Sequence, residues 1–137
     1  VVFVHGGGLV RGAGSDWDLS VFAANASVVA VTFNYRLGVL GWLALPELTA
    51  ADARNVSGNY GLLDQQAALS WVGRNIGNFS GDAARVTVMG HGSGATSVLA
   101  MLASPASVGL FSRAVALSAS PNVTMSLAAA EAQNAAA

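Results

Sequence analysis

Four short, nearly continuous apolar segments recur along the 137 residues of this chain. They lie at residues 1–4, 28–33, 85–89 and 113–117. Strands that are buried on both faces of a sheet have this pattern, whereas strands with one face in solvent alternate apolar and polar residues. The four segments therefore predict a sheet in the interior of the molecule.

Two helical patterns separate the later segments, and their placement predicts the fold class. Residues 62–76 have the periodicity of an amphipathic helix, and residues 93–103 have small and apolar residues at helical spacing. Strands that alternate with helices favour βαβ units, with parallel central strands and helices on both faces of the sheet. Residues 9–27 and 49–59 are predicted to be long polar loops, the first without a clear helix.

The composition predicts a piece of a larger protein. Only 9% of the residues are charged and 53% are hydrophobic, whereas about 25% are charged in an average soluble domain. A small free-standing domain needs many polar groups to cover its surface. The chain also starts at Val1 within an apolar segment and stops at residues 135–137 within a helix-like stretch. We therefore expect a fragment.

The composition argues against several classes of function. A net charge of −1 gives no basic surface for nucleic acid. No apolar stretch reaches the roughly 18 residues of a membrane span. Cysteine is absent and the two histidines, His5 and His91, are far apart in sequence, so neither a metal site nor a cofactor is predicted.

Four acceptor patterns for N-glycosylation favour the secretory pathway. They begin at Asn25, Asn55, Asn78 and Asn122, and each has the form N-x-[ST]. One such tripeptide is commonly an ordinary loop asparagine. Four in so short a chain predict a secreted or cell-surface glycoprotein.

The third apolar segment leads into a glycine-rich turn, Gly90-His91-Gly92-Ser93-Gly94, which a helical pattern follows. Strand, tight turn and helix in this order are the setting of a nucleophile elbow, where the motif G-x-S-x-G presents a reactive serine at the top of a parallel sheet. The outer glycines have the spacing of that motif, but Gly92 stands at its centre. The predicted elbow therefore lacks the side-chain oxygen that attacks a substrate.

A second glycine-rich segment, His5-Gly6-Gly7-Gly8, directly follows the first predicted strand. It matches the HGGG-type oxyanion loop, in which uncovered backbone N–H groups stabilise a developing negative oxygen. An isolated triple glycine is more often an ordinary turn, and a phosphate-binding loop would continue into G-K-[ST], which is missing after Gly8. Together with the elbow, the segment predicts an oxyanion loop.

These two motifs belong to a longer ordered set. Its members are His5-Gly6-Gly7-Gly8, Asn34-Tyr35-Arg36-Leu37-Gly38, Gly41-Trp42-Leu43, Gly58-Asn59-Tyr60-Gly61-Leu62-Leu63-Asp64-Gln65, Ala68-Leu69, Trp71-Val72, Asn75-Ile76, Gly81-Asp82, residues 85–90 and Gly109-Leu110-Phe111-Ser112-Arg113-Ala114. With them, essentially the whole chain resembles the type-B carboxylesterase and cholinesterase family of α/β-hydrolases. The resemblance implies a partial α/β-hydrolase fold. Residues 1–137 would form part of a carboxylesterase type-B domain, from the oxyanion-loop strand to the strand after the elbow.

The resemblance also implies roles for particular residues. Gly7 and Gly8, with the amide of Ser93, would be the oxyanion donors, and Gly92 would occupy the position of the nucleophile. His91 stands where the family usually has an acidic residue, and the family's catalytic acid and histidine lie beyond the end of this sequence. Glycine at the nucleophile position resembles the non-catalytic branch of the family. That branch includes the neuroligins and other cholinesterase-like adhesion proteins, which hold partner proteins at cell surfaces.

Other interpretations of the turn are possible. Ser93 comes one residue late in the motif, so its hydroxyl is interpreted as a helix-start group, with a role as substitute nucleophile as the alternative. His91 is interpreted as a packing or hydrogen-bonding residue. Gly90 to Ala95 also fits the dinucleotide fingerprint G-x-G-x-x-A, but that site needs an acidic residue after the next strand. Residues 117–120 contain none.

Six further residues are interpreted as structural. Capping, salt bridges or loop anchoring are expected for three of them: Arg36, Asp64 and Asp82. The tryptophans are expected in the core or in the wall of a gorge: Trp17, Trp42 and Trp71.

Two hypotheses about function follow. The first is a catalytically inactive, extracellular cholinesterase-like domain that binds a protein partner. The second is a serine carboxylic-ester hydrolase, present here as a fragment or a diverged copy, with an ester as its substrate. A dinucleotide-binding domain is the remote third alternative.

Overall fold

The computed structural model describes residues 1–120 and 125–136. Within them, four strands form one sheet: β1 (Val2–Val4), β2 (Val31–Thr32), β3 (Thr87–His91) and β4 (Arg113–Leu117). Their order in the sheet is β2-β1-β3-β4, and every pairing is parallel. The predicted α/β fold with parallel central strands is confirmed.

Six helices accompany the sheet in the same described ranges. They are α1 (Ser20–Ala26), α2 (Gly38–Trp42), α3 (Pro46–Ala51), α4 (Tyr60–Asn75), α5 (Ser93–Ala103) and α6 (Leu127–Ala135). Short 3₁₀ turns lie at Gly14–Asp16, Ile76–Phe79, Ala83–Arg85 and Pro105–Ser107. The bounds predicted for α5 and β4 are confirmed, and α4 begins two residues before its predicted start.

The prediction of loops at residues 9–27 and 49–59 is wrong in part. Helix α1 lies within the first segment and has only seven residues, which are fewer than the roughly 11 needed for a helical period to be recognised. Helix α3 extends into the second segment. Pro46 and Glu47 in its first turn are the start signals, because proline has a suitable φ and an acidic residue complements the helix dipole there.

Three predicted strands differ in extent from the observed ones, and β1 begins at Val2 rather than Val1. β2 has only two residues because β1 pairs with it at two positions, Val2 with Val31 and Phe3 with Thr32. β3 begins at Thr87 rather than Arg85, because Arg85 belongs to the 3₁₀ turn before the strand.

The core joins the two central strands to the two longest helices. Val2, Val4 and Val88 of β1 and β3 are at most 1% exposed. They belong to one apolar cluster with residues of α4 and α5, namely Leu69, Val72, Val98 and Met101. The ends of β1 and β3 are therefore held in fixed positions, and both glycine-rich segments begin there.

Candidate functional site

The two glycine-rich segments lie side by side at the carboxyl ends of neighbouring strands. In the β1–β3 ladder Val4 pairs with Gly90, so the segment after β1 and the turn after β3 leave the sheet at the same edge. Ligands of open α/β sheets bind outside this edge. The structure thus brings together the oxyanion loop and the elbow that the sequence predicts.

The turn after β3 has the geometry of a strained strand-to-helix bend. Gly92 alone separates β3 from α5, with φ 58° and ψ −123°. Its N–H donates to the Leu117 carbonyl at 2.9 Å, and its own carbonyl accepts from the Thr96 N–H at 3.0 Å. Glycine adopts this positive φ with little strain, whereas another residue is strained by about 1–3 kcal/mol.

The three glycines of the turn differ in the space around them. A Cβ atom at Gly90 would lie 2.5 Å from backbone atoms of Gly94, and one at Gly94 would lie within 2.6 Å of the Val4 and His5 carbonyl oxygens. A Cβ at Gly92 would meet nothing within 4 Å. Packing therefore requires the outer glycines, whereas the central position has free room for a side chain.

Ser93 connects the two segments. Its Oγ accepts a hydrogen bond from the Gly8 N–H at 2.9 Å. The hydroxyl that the sequence suggested as a helix-start group thus binds the other glycine-rich segment rather than an amide of α5. Gly7 and Gly8 both have positive φ values, 119° and 69°, which favour glycine.

Tyr35 is a site residue that the sequence analysis did not single out. Its Oη donates to the His5 carbonyl at 2.7 Å, and its ring stacks on the buried His5 ring with centroids 4.4 Å apart. Burial raises the pKa of Tyr35 to about 12, with a hydrogen bond involving the Ser93 hydroxyl acting in the opposite sense. Its position three residues after β2, beside the site edge, was the available signal.

The remaining elbow residue, His91, is exposed at the end of β3. Its ring lies 5.6 Å from the Trp17 ring, at a tilted angle, so its described contact is one of packing. The ring of His5 has its Nδ1 2.8 Å from the Gly6 carbonyl, where an N–H at Nδ1 donates. Among the described residues, neither imidazole has a hydrogen bond to Ser93.

Arg36 and Asp64 form the ion pair expected of structural residues. The Arg36 guanidinium donates through Nε and Nη2 to both carboxylate oxygens of Asp64, each at 2.8 Å. The Arg36 backbone N–H donates to the same carboxylate at 2.9 Å. These bonds anchor the loop after β2 to α4, and they hold the pKa of Asp64 below its ordinary value.

Asp64→Asn is expected to destabilise the protein at neutral pH and to have little effect at acidic pH. A carboxylate whose pKa is lowered by folding stabilises the fold above its unfolded-state pKa of about 4, and that contribution disappears as the pH falls through the folded-state pKa. Solvent screens the pair, since the Arg36 side chain is 50% exposed, so we expect a loss of no more than about 1 kcal/mol. Urea unfolding of both proteins between pH 7 and pH 2.5 measures it. A stability difference that stays constant over this range would contradict the assignment.

The other expectations for single residues have mixed outcomes. Asp82 accepts from the Ala84 N–H at 2.8 Å and pairs with Arg85, which is the capping role predicted for it. Trp17 and Trp71 are 39% and 45% exposed, so a core position is wrong for both. Trp42 is partly buried against the apolar cluster.

The acceptor asparagines Asn25, Asn55 and Asn78 are all exposed, as glycan attachment requires. Asn122 lies outside the described residues. No group of three metal-ligating side chains occurs in residues 1–120 and 125–136. None of the helices described above has the length and hydropathy of a membrane span.

Comparison with known proteins gives a consistent result. The model of the carboxylesterase family matches residues 1–137. Neuroligin-2 of Mus musculus is 47% identical over 118 residues, which are 86% of this chain and 13% of neuroligin-2. Para-nitrobenzyl esterase of Bacillus subtilis is 48% identical over 117 residues, 84% of this chain and 23% of the esterase.

A solved esterase structure has the same fold as this chain. The structure of a thermophilic PNB esterase superimposes with a TM-score of 0.89 at 44% identity, covering 98% of this chain and 27% of that protein. The chain thus spans less than a third of the length of each of these three relatives.

Proposed function

This chain belongs to the carboxylesterase family, and from that premise we propose that it is part of a catalytically inactive, cholinesterase-like domain that binds a protein partner outside the cell. Residues 1–137 would be the portion of a type-B domain from the oxyanion-loop strand to the strand after the elbow. The observation that carries the proposal is Gly92, which has the backbone of a nucleophile elbow and no side chain.

The missing side chain removes the attacking atom and leaves the surrounding backbone. In a well-studied serine protease, the oxyanion hole and substrate binding alone give about 10³–10⁴-fold over water. Useful enzymes reach at least about 10⁶-fold. A glycine at this position is therefore consistent with selection for a binding surface instead of turnover.

The partner and the location follow from the resemblance and the exposed acceptor asparagines. Neuroligin-2 aligns over 86% of this chain, and the non-catalytic branch that it represents acts through protein contacts at cell surfaces. Asn25, Asn55 and Asn78 are exposed, so an extracellular or cell-surface glycoprotein is consistent with the structure. We propose a protein ligand and no cofactor.

Ester hydrolysis is the second candidate function. The identity to para-nitrobenzyl esterase, 48%, equals that to the neuroligin within a percentage point, and the elbow backbone is intact. In this alternative Ser93 replaces the missing nucleophile. Its hydroxyl, however, accepts from the Gly8 amide, and no described imidazole activates it.

We expect the full-length native protein not to hydrolyse short acyl esters faster than the background rate. The physical reason is that position 92 offers no nucleophile. Hydrolysis of 4-nitrophenyl acetate at micromolar protein measures this, and heat-denatured protein is the control. Turnover that Ser93→Ala abolishes would contradict inactivity and establish the second candidate.

A further inference from the structure

The Ser93 hydroxyl occupies the space between the elbow and the oxyanion loop. Its Oγ lies 2.9 Å from the Gly8 nitrogen and accepts its hydrogen, a contact between residues 85 positions apart in sequence. We propose that the Ser93 hydroxyl blocks the oxyanion site by accepting the Gly8 amide in place of a substrate oxygen. This inference rests on the proposed function and adds a second block that is independent of the missing nucleophile.

The Ser93 hydroxyl lies as far from the Gly8 nitrogen as the oxygen of a bound ester would. Oxyanion donors stand 2.7–3.1 Å from the position that the negative oxygen occupies. The Ser93 Oγ stands at that separation from Gly8. A second oxygen that accepted the same hydrogen would collide with the first, so a substrate carbonyl enters only after the serine side chain rotates away.

The surrounding backbone holds Ser93 in this place. It is the first residue of α5, directly after the bend at Gly92. The following residue, Gly94, fits so closely under Val4 and His5 that not even a Cβ atom has room. The start of α5 therefore stays in register with the oxyanion loop, and the Ser93 side chain faces that loop.

The same contact accounts for the failure of Ser93 as a nucleophile. An attacking hydroxyl must face the carbonyl carbon and donate its proton to a base. The Ser93 oxygen instead accepts from the Gly8 amide. Its chemistry is that of a fixed acceptor.

Four forms of the full-length protein test the block: native, Ser93→Ala, Gly92→Ser and Gly92→Ser/Ser93→Ala. The readout is the second-order rate at which a fluorophosphonate labels Gly92→Ser and Gly92→Ser/Ser93→Ala at residue 92, while the two forms that keep Gly92 set the background. Loss of one oxyanion donor in an enzyme lowers the rate about 10²–10³-fold. In Gly92→Ser the Ser93 side chain can rotate away from Gly8 at the cost of one hydrogen bond, so the block should slow labelling less than the loss of a donor does. We therefore expect the double variant to react at least about tenfold faster than Gly92→Ser. Equal rates for these two variants, both above the background set by the native protein and Ser93→Ala, would overturn the proposal.

Exchange of the Gly8 amide hydrogen with solvent gives a readout that needs no reactivity. Ser93→Ala removes the acceptor, so we expect Gly8 to exchange at least about tenfold faster than in the native protein. Ser93→Thr keeps a hydroxyl and should restore the protection. Ser97→Ala is the matched control, because the Ser97 hydroxyl donates to the Ser93 carbonyl, accepts from the Gln65 side chain and makes no hydrogen bond to Gly8.

The exchange experiment decides the proposal even if neither position-92 variant is labelled. An unchanged Gly8 exchange rate in Ser93→Ala would overturn the block. Labelling of the native protein at residues 92–94 would instead overturn the proposed inactivity, and the Gly8 comparison would still decide the block by itself.

Discussion

Gly94→Ala is expected to destabilise the protein by about 3 kcal/mol, the upper end of the usual cost of overpacking. The added methyl group would overlap the Val4 carbonyl oxygen and lie 2.6 Å from that of His5. Both atoms are backbone of β1 and the loop after it, so no flexible side chain can yield. The start of α5 would have to move away from β1, which disturbs the elbow and the oxyanion loop together.

Two other glycines provide matched controls for this substitution. Gly92→Ala meets no atom within 4 Å, so only its positive φ opposes it, at about 1–3 kcal/mol. Gly73 is exposed in the last turn of α4 with nothing within 4 Å, and Gly73→Ala is expected to stabilise by about 0.5–1 kcal/mol. Denaturant unfolding of the three full-length variants should rank them in this order. An unfolding midpoint for Gly94→Ala equal to that of Gly73→Ala would contradict the close packing of α5 on β1.

Gly92→Ser is expected to create ester hydrolysis in a full-length protein that carries the family's downstream acid and histidine. The added side chain has free room, and the bend already has elbow geometry. In a serine protease the loss of the nucleophile lowers kcat about 10⁶-fold, so the possible gain is large. We expect the single variant to recover a small part of it, because Ser93 still occupies the Gly8 amide, and Gly92→Ser/Ser93→Ala to recover more.

Hydrolysis of 4-nitrophenyl acetate measures the gain, with Gly92→Ala as the control for backbone strain. The alanine variant shares the positive-φ strain and has no hydroxyl, so its rate should stay at background. If the acid and histidine are present and the double variant also stays at background, the elbow is not the only damaged part. That outcome would contradict the view that the missing nucleophile and the Ser93 hydroxyl together separate this site from an active one.

The sequence predicted the central architecture because that part depends on local patterns. Continuous apolar segments identify strands buried on both faces, and α5 lies between a glycine turn and Pro105, which mark its ends. Helix α1 escaped prediction because its seven residues are too few to show a helical period. The length of β2 depends on what pairs with it, and no local pattern contains that information.

The candidate site, like the fold, could be predicted from the sequence only in part. The positions of Gly7, Gly8 and Gly92 are visible in the sequence because glycines mark unusual backbone at fixed spacing. The contact between Ser93 and Gly8 is not visible, because it depends on the direction of one side chain across 85 residues of separation. Likewise the stacking of Tyr35 on His5 results from the pairing of β1 with β2.

The most direct test of the proposed inactivity is the mass of the full-length native protein after incubation with a fluorophosphonate, followed by mapping of any adduct to a residue. We predict no added mass on Gly92, Ser93 or Gly94, while Gly92→Ser/Ser93→Ala gains one adduct at position 92. An adduct on Ser93 of the native protein would show that the site still holds a working nucleophile, and it would contradict the account.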